Sequence, residues 1–230
     1  MKLWLALSLV LLITACRSNN DEMTKIIFLH HSTGEAIWKG GTNRYIYRLT
    51  GKGDVQKYFE AYNRKNKTSY GIDALNFPKS APYGWNNYPY DYYNIWVKNA
   101  GAGPYLEEPT LEMLTPEYDV IVFKHCFPVS RIVADTTTPD INSDIKSLDN
   151  YKLQYNALKE KMHQFPDNKF IIWTPAANTR LKSKEDEAIR TREFYDWIIS
   201  EWDERGDNIF IWDFYGYETE GGLYLTDSNA

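Results

Sequence analysis

Three of the chain's four histidines lie in two short polar stretches, and a serine stands beside one pair. The first stretch is His30-His31-Ser32-Thr33-Gly34; the second is Lys124-His125-Cys126-Phe127-Pro128. A hydroxyl near an imidazole is the minimum for nucleophilic catalysis, in which the imidazole takes the proton and the oxygen attacks a carbonyl carbon. Other chemistries compete for these residues. Ser32-Thr33-Gly34 also reads as a strand-ending turn whose hydroxyls satisfy nearby backbone groups. Adjacent histidines converge poorly on one ion, so no metal site is expected at His30 and His31. Cys126 reads either as a thiol nucleophile beside His125 or as a buried thiol packed like a small apolar group. Arg180 reads as a holder of an anionic group or as a surface ion-pair partner. His163 falls on a helix and is expected to be solvated.

Each stretch follows an apolar run of strand length. Residues 25–29 precede His30, residues 119–123 precede Lys124, residues 169–173 precede Thr174 and residues 208–212 precede Asp213. A further strand is expected over residues 70–77. Runs that are apolar at consecutive positions suit parallel strands buried on both faces. Between them lie helical patterns. Val55, Phe59 and Tyr62 step at helical spacing, and a short helix around Leu111 and Leu114 ends before Pro116. Leu148, Tyr151, Tyr155, Leu158, Met162 and Phe165 form one apolar stripe. Ala188, Tyr195, Ile198, Ile199 and Trp202 form another, which starts at a Ser183 cap and ends before Gly206. The alternation predicts a three-layer α/β/α domain with a mainly parallel sheet of about five strands, of the flavodoxin-like kind. Ligands of such sheets bind outside the carboxyl ends of the strands, where the polar stretches fall.

The N-terminus has a separate role. Lys2 precedes an apolar core from residue 3 to 13, and Ile13-Thr14-Ala15-Cys16 follows. This is a secretory leader, too short to span a bilayer in the usual way. Its ending resembles the lipobox of bacterial lipoproteins, which implies cleavage before Cys16, lipid on the Cys16 thiol and a place at the outer membrane, on its periplasmic or outer side. Each buried methylene contributes about 0.8 kcal/mol, so two or more acyl chains anchor firmly. The organisation read from this is a leader over 1–15, a polar tether over 16–24 and one domain over 25–230. Without Lys2, 25 basic residues face 31 acidic ones with no basic run, which argues against nucleic acid as a partner. Cys126 is the one cysteine of the domain, so the domain has no internal disulfide.

The block Phe28-Leu29-His30-His31-Ser32-Thr33-Gly34 resembles the first block of SGNH (GDSL-type) hydrolases, with His-His-Ser in place of the usual Gly-Asp-Ser. The resemblance implies Ser32 as nucleophile, its own N–H as one oxyanion donor, no cofactor, and a glycan or small-molecule ester as substrate. It implies a second donor from a glycine, with Gly101 the best placed in sequence. The third block normally brings an asparagine; here Lys124 or His125 stands in that place. The fourth block, Asp-x-x-His, is not found before Ala230. The expectation is therefore a chain cut short of its catalytic histidine, or else a base drawn from His30, His31 or His125. Alternation along a strand end would put His30 on the side of Ser32 and turn His31 away. The rival expectation is a glycan-binding lipoprotein that keeps the fold without the chemistry. Residues 82–96 hold seven aromatics interrupted by Pro82, Gly84 and Pro89. They suit either a sugar-stacking loop or rings packed onto the domain.

Overall fold

The computed structural model describes residues 23–84, 87–226 and 228. Cys16 and the leader therefore lie outside the described residues. Five strands are present: β1 (Thr24–His30), β2 (Tyr70–Asn76), β3 (Val120–Phe123), β4 (Lys169–Trp173) and β5 (Ile209–Trp212). They form one sheet in the order β2-β1-β3-β4-β5, with every neighbouring pair parallel. The domain is the expected three-layer α/β/α fold.

The connections divide between the two faces. From β1 to β2 the chain runs through α1 (Thr33–Lys39), α2 (Arg44–Thr50) and α3 (Asp54–Asn66). These cover the face of Phe28, with Trp38, Tyr47 and Val55 packed near Phe28, Val122 and Trp173. The later connections cover the opposite face. They comprise α4 (Pro89–Tyr93), a π-helical turn (Asn94–Lys98), α5 (Leu111–Leu114), α6 (Leu148–Met162), α7 (Glu185–Trp197) and a second π-helical turn (Ile198–Trp202). There Ile27, Leu29, Ile121, Phe123, Phe170, Ile172 and Ile209 meet helix side chains in the main core. A last short helix, α8 (Phe214–Thr219), follows β5.

The two layers differ in depth. Helix α6 buries several side chains along its predicted stripe, whereas α7 buries Ala188 with Thr191 and Phe194, and of the rest of its expected stripe Ile198 and Trp202 are buried, Tyr195 is half-buried and Ile199 is exposed. Helices α2 and α3 have no fully buried residue. On their side of the sheet Phe210 and Trp212 stay about half exposed, at 48% and 47%.

Three local expectations are corrected. α7 is capped at Lys184, whose N–H donates to Glu187 at 3.2 Å, while Ser183 Oγ donates to the Lys184 carbonyl. A capping carboxylate three residues on satisfies an otherwise orphaned amide, and here that carboxylate is Glu187 rather than Asp186. His163 ends α6 half-buried and is bonded to Asp207 at 2.9 Å. Arg180 is exposed, with its guanidinium over the Tyr224 ring at 4.8 Å. In the aromatic stretch Tyr92 and Trp96 are fully buried, Tyr83, Tyr88 and Tyr90 are half-buried, Trp85 lies outside the described residues, and Pro89 starts α4.

Trp96 anchors this core. Its ring lies 5.0–5.4 Å from those of Tyr92, Phe123 and Phe77, and its Nε1 donates to the Pro109 carbonyl at 3.1 Å. Trp96→Ala leaves a cavity and orphans that carbonyl, at a cost of about 3–5 kcal/mol. Urea unfolding should show that loss; a change under 1 kcal/mol would show that the ring does not hold the core.

Candidate functional site

In a sheet of order 2-1-3-4-5 the chain reverses direction between β1 and β3, and the crevice beyond those two strand ends is where ligands bind. Ser32 follows β1 by two residues and Lys124 follows β3 directly. The ladder sets what stands beside them. His30 pairs with Asn76 and Leu29 pairs with Phe123. Lys124 N–H then donates to the Leu29 carbonyl at 3.3 Å, which draws Lys124 alongside His30. Phe123 pairs with Ile172 and Trp173 with Trp212. One row along the carboxyl edge, on the Phe28 face, thus reads Asn76, His30, Lys124, Trp173, Trp212.

Several buried polar atoms at this edge have no hydrogen-bond partner among the described residues. They are both ring nitrogens of His30, Nζ of Lys124, Nε1 of Trp173 and Oδ1 of Asn87 and Asn178. Buried polar groups are nearly always paired, so such a concentration needs a cause. Binding sites supply one, because their polar groups are completed by a ligand.

Ser32 itself is exposed, and its hydroxyl does not cap α1. Its backbone has φ 44° and ψ −101°, a left-handed conformation that costs a non-glycine residue about 1–3 kcal/mol. A strained strand-to-helix turn that lifts a serine clear of a parallel sheet is a known way to present a nucleophile. The turn is held tightly. Gly34 N–H donates to the His31 carbonyl at 2.8 Å, and Ala36 N–H to the Ser32 carbonyl at 3.1 Å. A Cβ at Gly34 would overlap Cβ of His30, so only glycine lets α1 start this close to the strand.

The neighbouring titratable groups are shaped by burial. Burial, aided by the Lys124 ammonium and His31, pulls His30 down to about 4, so its ring is neutral at pH 7. Burial also lowers His31, while the Pro78 carbonyl, which accepts from its Nε2, acts the other way. Burial takes Lys124 down to about 8 against the opposing pull of Cys126 and Glu218. Glu218, on α8, is pushed up to about 7 by burial, while the Ala177 N–H it accepts at 2.7 Å and Lys124 favour its charged form.

The expected site residues separate into two groups. Ser32, His30 and Lys124 collect at the β1–β3 crevice. His125 does not: strand alternation turns it to the other face, where its Nε2 meets Tyr155 Oη at 2.8 Å among Tyr92 and Phe123. Buried in that core, it is pulled down to about 3. Gly101 lies at the opposite edge of the sheet. Its N–H donates to Glu112 and its carbonyl accepts from Thr110 Oγ1 at 2.6 Å. Glu112 is paired with Lys161 at the end of α6, ahead of the first residue of β4. Neither His125 nor Gly101 is an oxyanion donor for Ser32 in this arrangement. Cys126 is a free, buried thiol. Among the described residues, no group of three or more histidine, cysteine or acidic side chains could hold a metal.

Sequence reasoning missed Glu218, Asn87 and Asn178. Asn178 sits in the stretch after β4 and was visible as part of it. Asn87 lies among aromatics, where a single amide gives no signal. Glu218 is on a helix too short to show a period.

No protein-family model matches the chain, and no curated protein is found to be similar to it.

Two outcomes test this description. Replacing Ser32 by Gly relieves the left-handed strain and should stabilise the fold by about 1 kcal/mol relative to Ser32→Ala; equal thermal midpoints would show an unstrained turn. The second concerns acid. The unfolded chain protonates His30 and His125 near pH 6.5 and the folded chain does not. Stability therefore falls as pH drops from 6.5 toward 4, by at most about 3 kcal/mol per imidazole. Glu218 opposes this between pH 7 and 4.5, since the folded state takes up its proton first. Two imidazoles outweigh one carboxyl. The thermal midpoint should drop over this range, and His125→Phe should flatten the drop.

Proposed function

We propose that the domain is an extracytoplasmic serine esterase or deacylase of SGNH type, acting on an acylated carbohydrate, with Ser32 as nucleophile. The observation that carries the reading is the exposed, left-handed Ser32 at the switch point of the sheet, beside polar groups that lack partners. Ser32 Oγ attacks the acyl carbon and its proton passes to an imidazole of the His30–His31 pair. The alcohol leaves with a proton, and water then releases the acid from the acyl-serine. The Ser32 N–H and the Lys124 ammonium are the groups proposed to hold the oxyanion; one well-aimed donor contributes about 3–4 kcal/mol. The steps call for no cofactor. Lipid on Cys16 would anchor the domain at the outer membrane. Among the described residues no helix is long and apolar enough to cross a membrane.

A second reading, a glycan-binding lipoprotein without catalysis, is supported by the positions of Gly101 and His125, which remove two of the expected donors. The two readings part on one experiment. A fluorophosphonate probe should form an adduct that peptide mass spectrometry maps to Ser32. Ser32→Ala should lose the adduct and lower hydrolysis of p-nitrophenyl acetate by about 10³-fold or more. Unchanged hydrolysis in Ser32→Ala would overturn the assignment.

A further inference from the structure

The layer formed by α1, α2 and α3 does not close onto the sheet. Between it and the β1–β2 part of the Phe28 face lies a cleft of about 420 Å³, lined by His30, Glu35, Trp38, Tyr47, Gln56 and Asn76 among others. The cleft begins next to the nucleophile turn: His30 precedes Ser32 by two residues and Glu35 follows it by three. Its volume suits one small ring with some water, within the usual range of ligand sites.

The chemistry of the walls is specific. Trp38 lines the cleft but is 3% exposed, so the walls are mainly polar; its ring lies 6.4 Å from that of His30. Tyr47 Oη donates to Glu35 Oε1 at 2.7 Å, which fixes the carboxylate in place. Gln56 Oε1 accepts from the Gly53 N–H at 3.0 Å, so the amide NH₂ remains as the donor of that side chain. Asn76 stands beside His30 in the ladder. His30 is 1% exposed, and neither ring nitrogen has a partner among the described residues. A neutral imidazole offers one donor and one acceptor on opposite edges of the ring; the Nδ1 edge of His30 lies against Gly34, so Nε2 is the atom left for a single sugar hydroxyl. No lysine or arginine lines the cleft, so a phosphate, sulfate or carboxylate group would meet Glu35 without a counter-charge.

We propose that this cleft binds the neutral sugar ring of the substrate through its hydroxyls, with His30 Nε2 on one of them and the Glu35 carboxylate and Gln56 amide on others. The proposal deepens the esterase reading and rests on it only for the role of the ring as the alcohol part of an ester. It also places sugar recognition apart from the aromatic stretch of residues 82–96, in which Tyr92, Tyr93 and Trp96 are buried. His30 is then a substrate-binding residue as well as a neighbour of the nucleophile.

The test is ligand-observed NMR on the full chain with glucose, galactose, mannose and N-acetylglucosamine, against glucuronate and glucose 6-phosphate. At least one neutral sugar should bind, at least tenfold more tightly than either anionic one. His30→Leu should weaken that binding at least tenfold. Because His30 is buried, Asn76→Ala at the strand end serves as a second variant and should weaken it several-fold with an unchanged thermal midpoint. Ser32→Ala should bind as the parent does. No binding of any neutral sugar, equal binding of the anionic ones, or full binding by both cleft variants would overturn the proposal. A fluorophosphonate adduct on Ser32 without sugar binding would sink the cleft and spare the esterase. Sugar binding lost in both cleft variants but without an adduct would do the reverse.

Discussion

The parallel ladder between β1 and β3 is the constraint on which the rest depends. It aligns the ends of the two strands where the sheet reverses its winding, so the residues that follow are brought together by backbone pairing and not by their own attraction. Left to themselves, an imidazole and an ammonium would not choose to share a dry interior. Removing a charge from water costs several kcal/mol unless a partner compensates it. The molecule lessens that cost by holding His30 neutral and by setting the Glu218 carboxyl within electrostatic reach of Lys124. It keeps the hydrogen-bonding capacity of both unspent.

Alternation does the second part of the sorting. Two consecutive residues after β3 point to opposite faces. Lys124 joins the crevice, and His125 joins a cage of Tyr92, Phe123 and Tyr155. The faces themselves are unequal. One is sealed by long helices with wide apolar stripes. The other carries α1, α2 and α3, two of which bury no side chain completely. Dense packing on one side gives the strand ends a rigid base, and loose packing on the other leaves room beside them.

The sheet was legible in the sequence because β1, β3, β4 and β5 contain unbroken apolar runs; β2, interrupted by Gly71 and Asp73 and without a fully buried residue, was the weakest signal. Helices α6 and α7 were legible from stripes of four turns. Helices α1, α2 and α8 were not, since six or seven residues hold too few turns for a period to show. In α1 the Ser-Thr-Gly start also looks like turn chemistry. The site was legible in part. Ser32, His30 and Lys124 follow from the rule about strand ends. Gly101 misled because a glycine-rich turn states its flexibility and not its location, and its bonds to Glu112 and Thr110 fix it at the far edge. The aromatic stretch left two readings open for a related reason: composition alone does not distinguish rings that face solvent from rings that fill a core.

Gly34 carries a lesson about reading this motif elsewhere. Its missing side chain is required by the Cβ of His30, a contact internal to the turn, and not by anything the hydroxyl touches. A related chain with any other use for the turn would still be obliged to keep the glycine as long as it kept a side chain in the place of His30. Persistence of that glycine is thus a mark of how the turn packs against the strand and says nothing of what the Ser32 hydroxyl does.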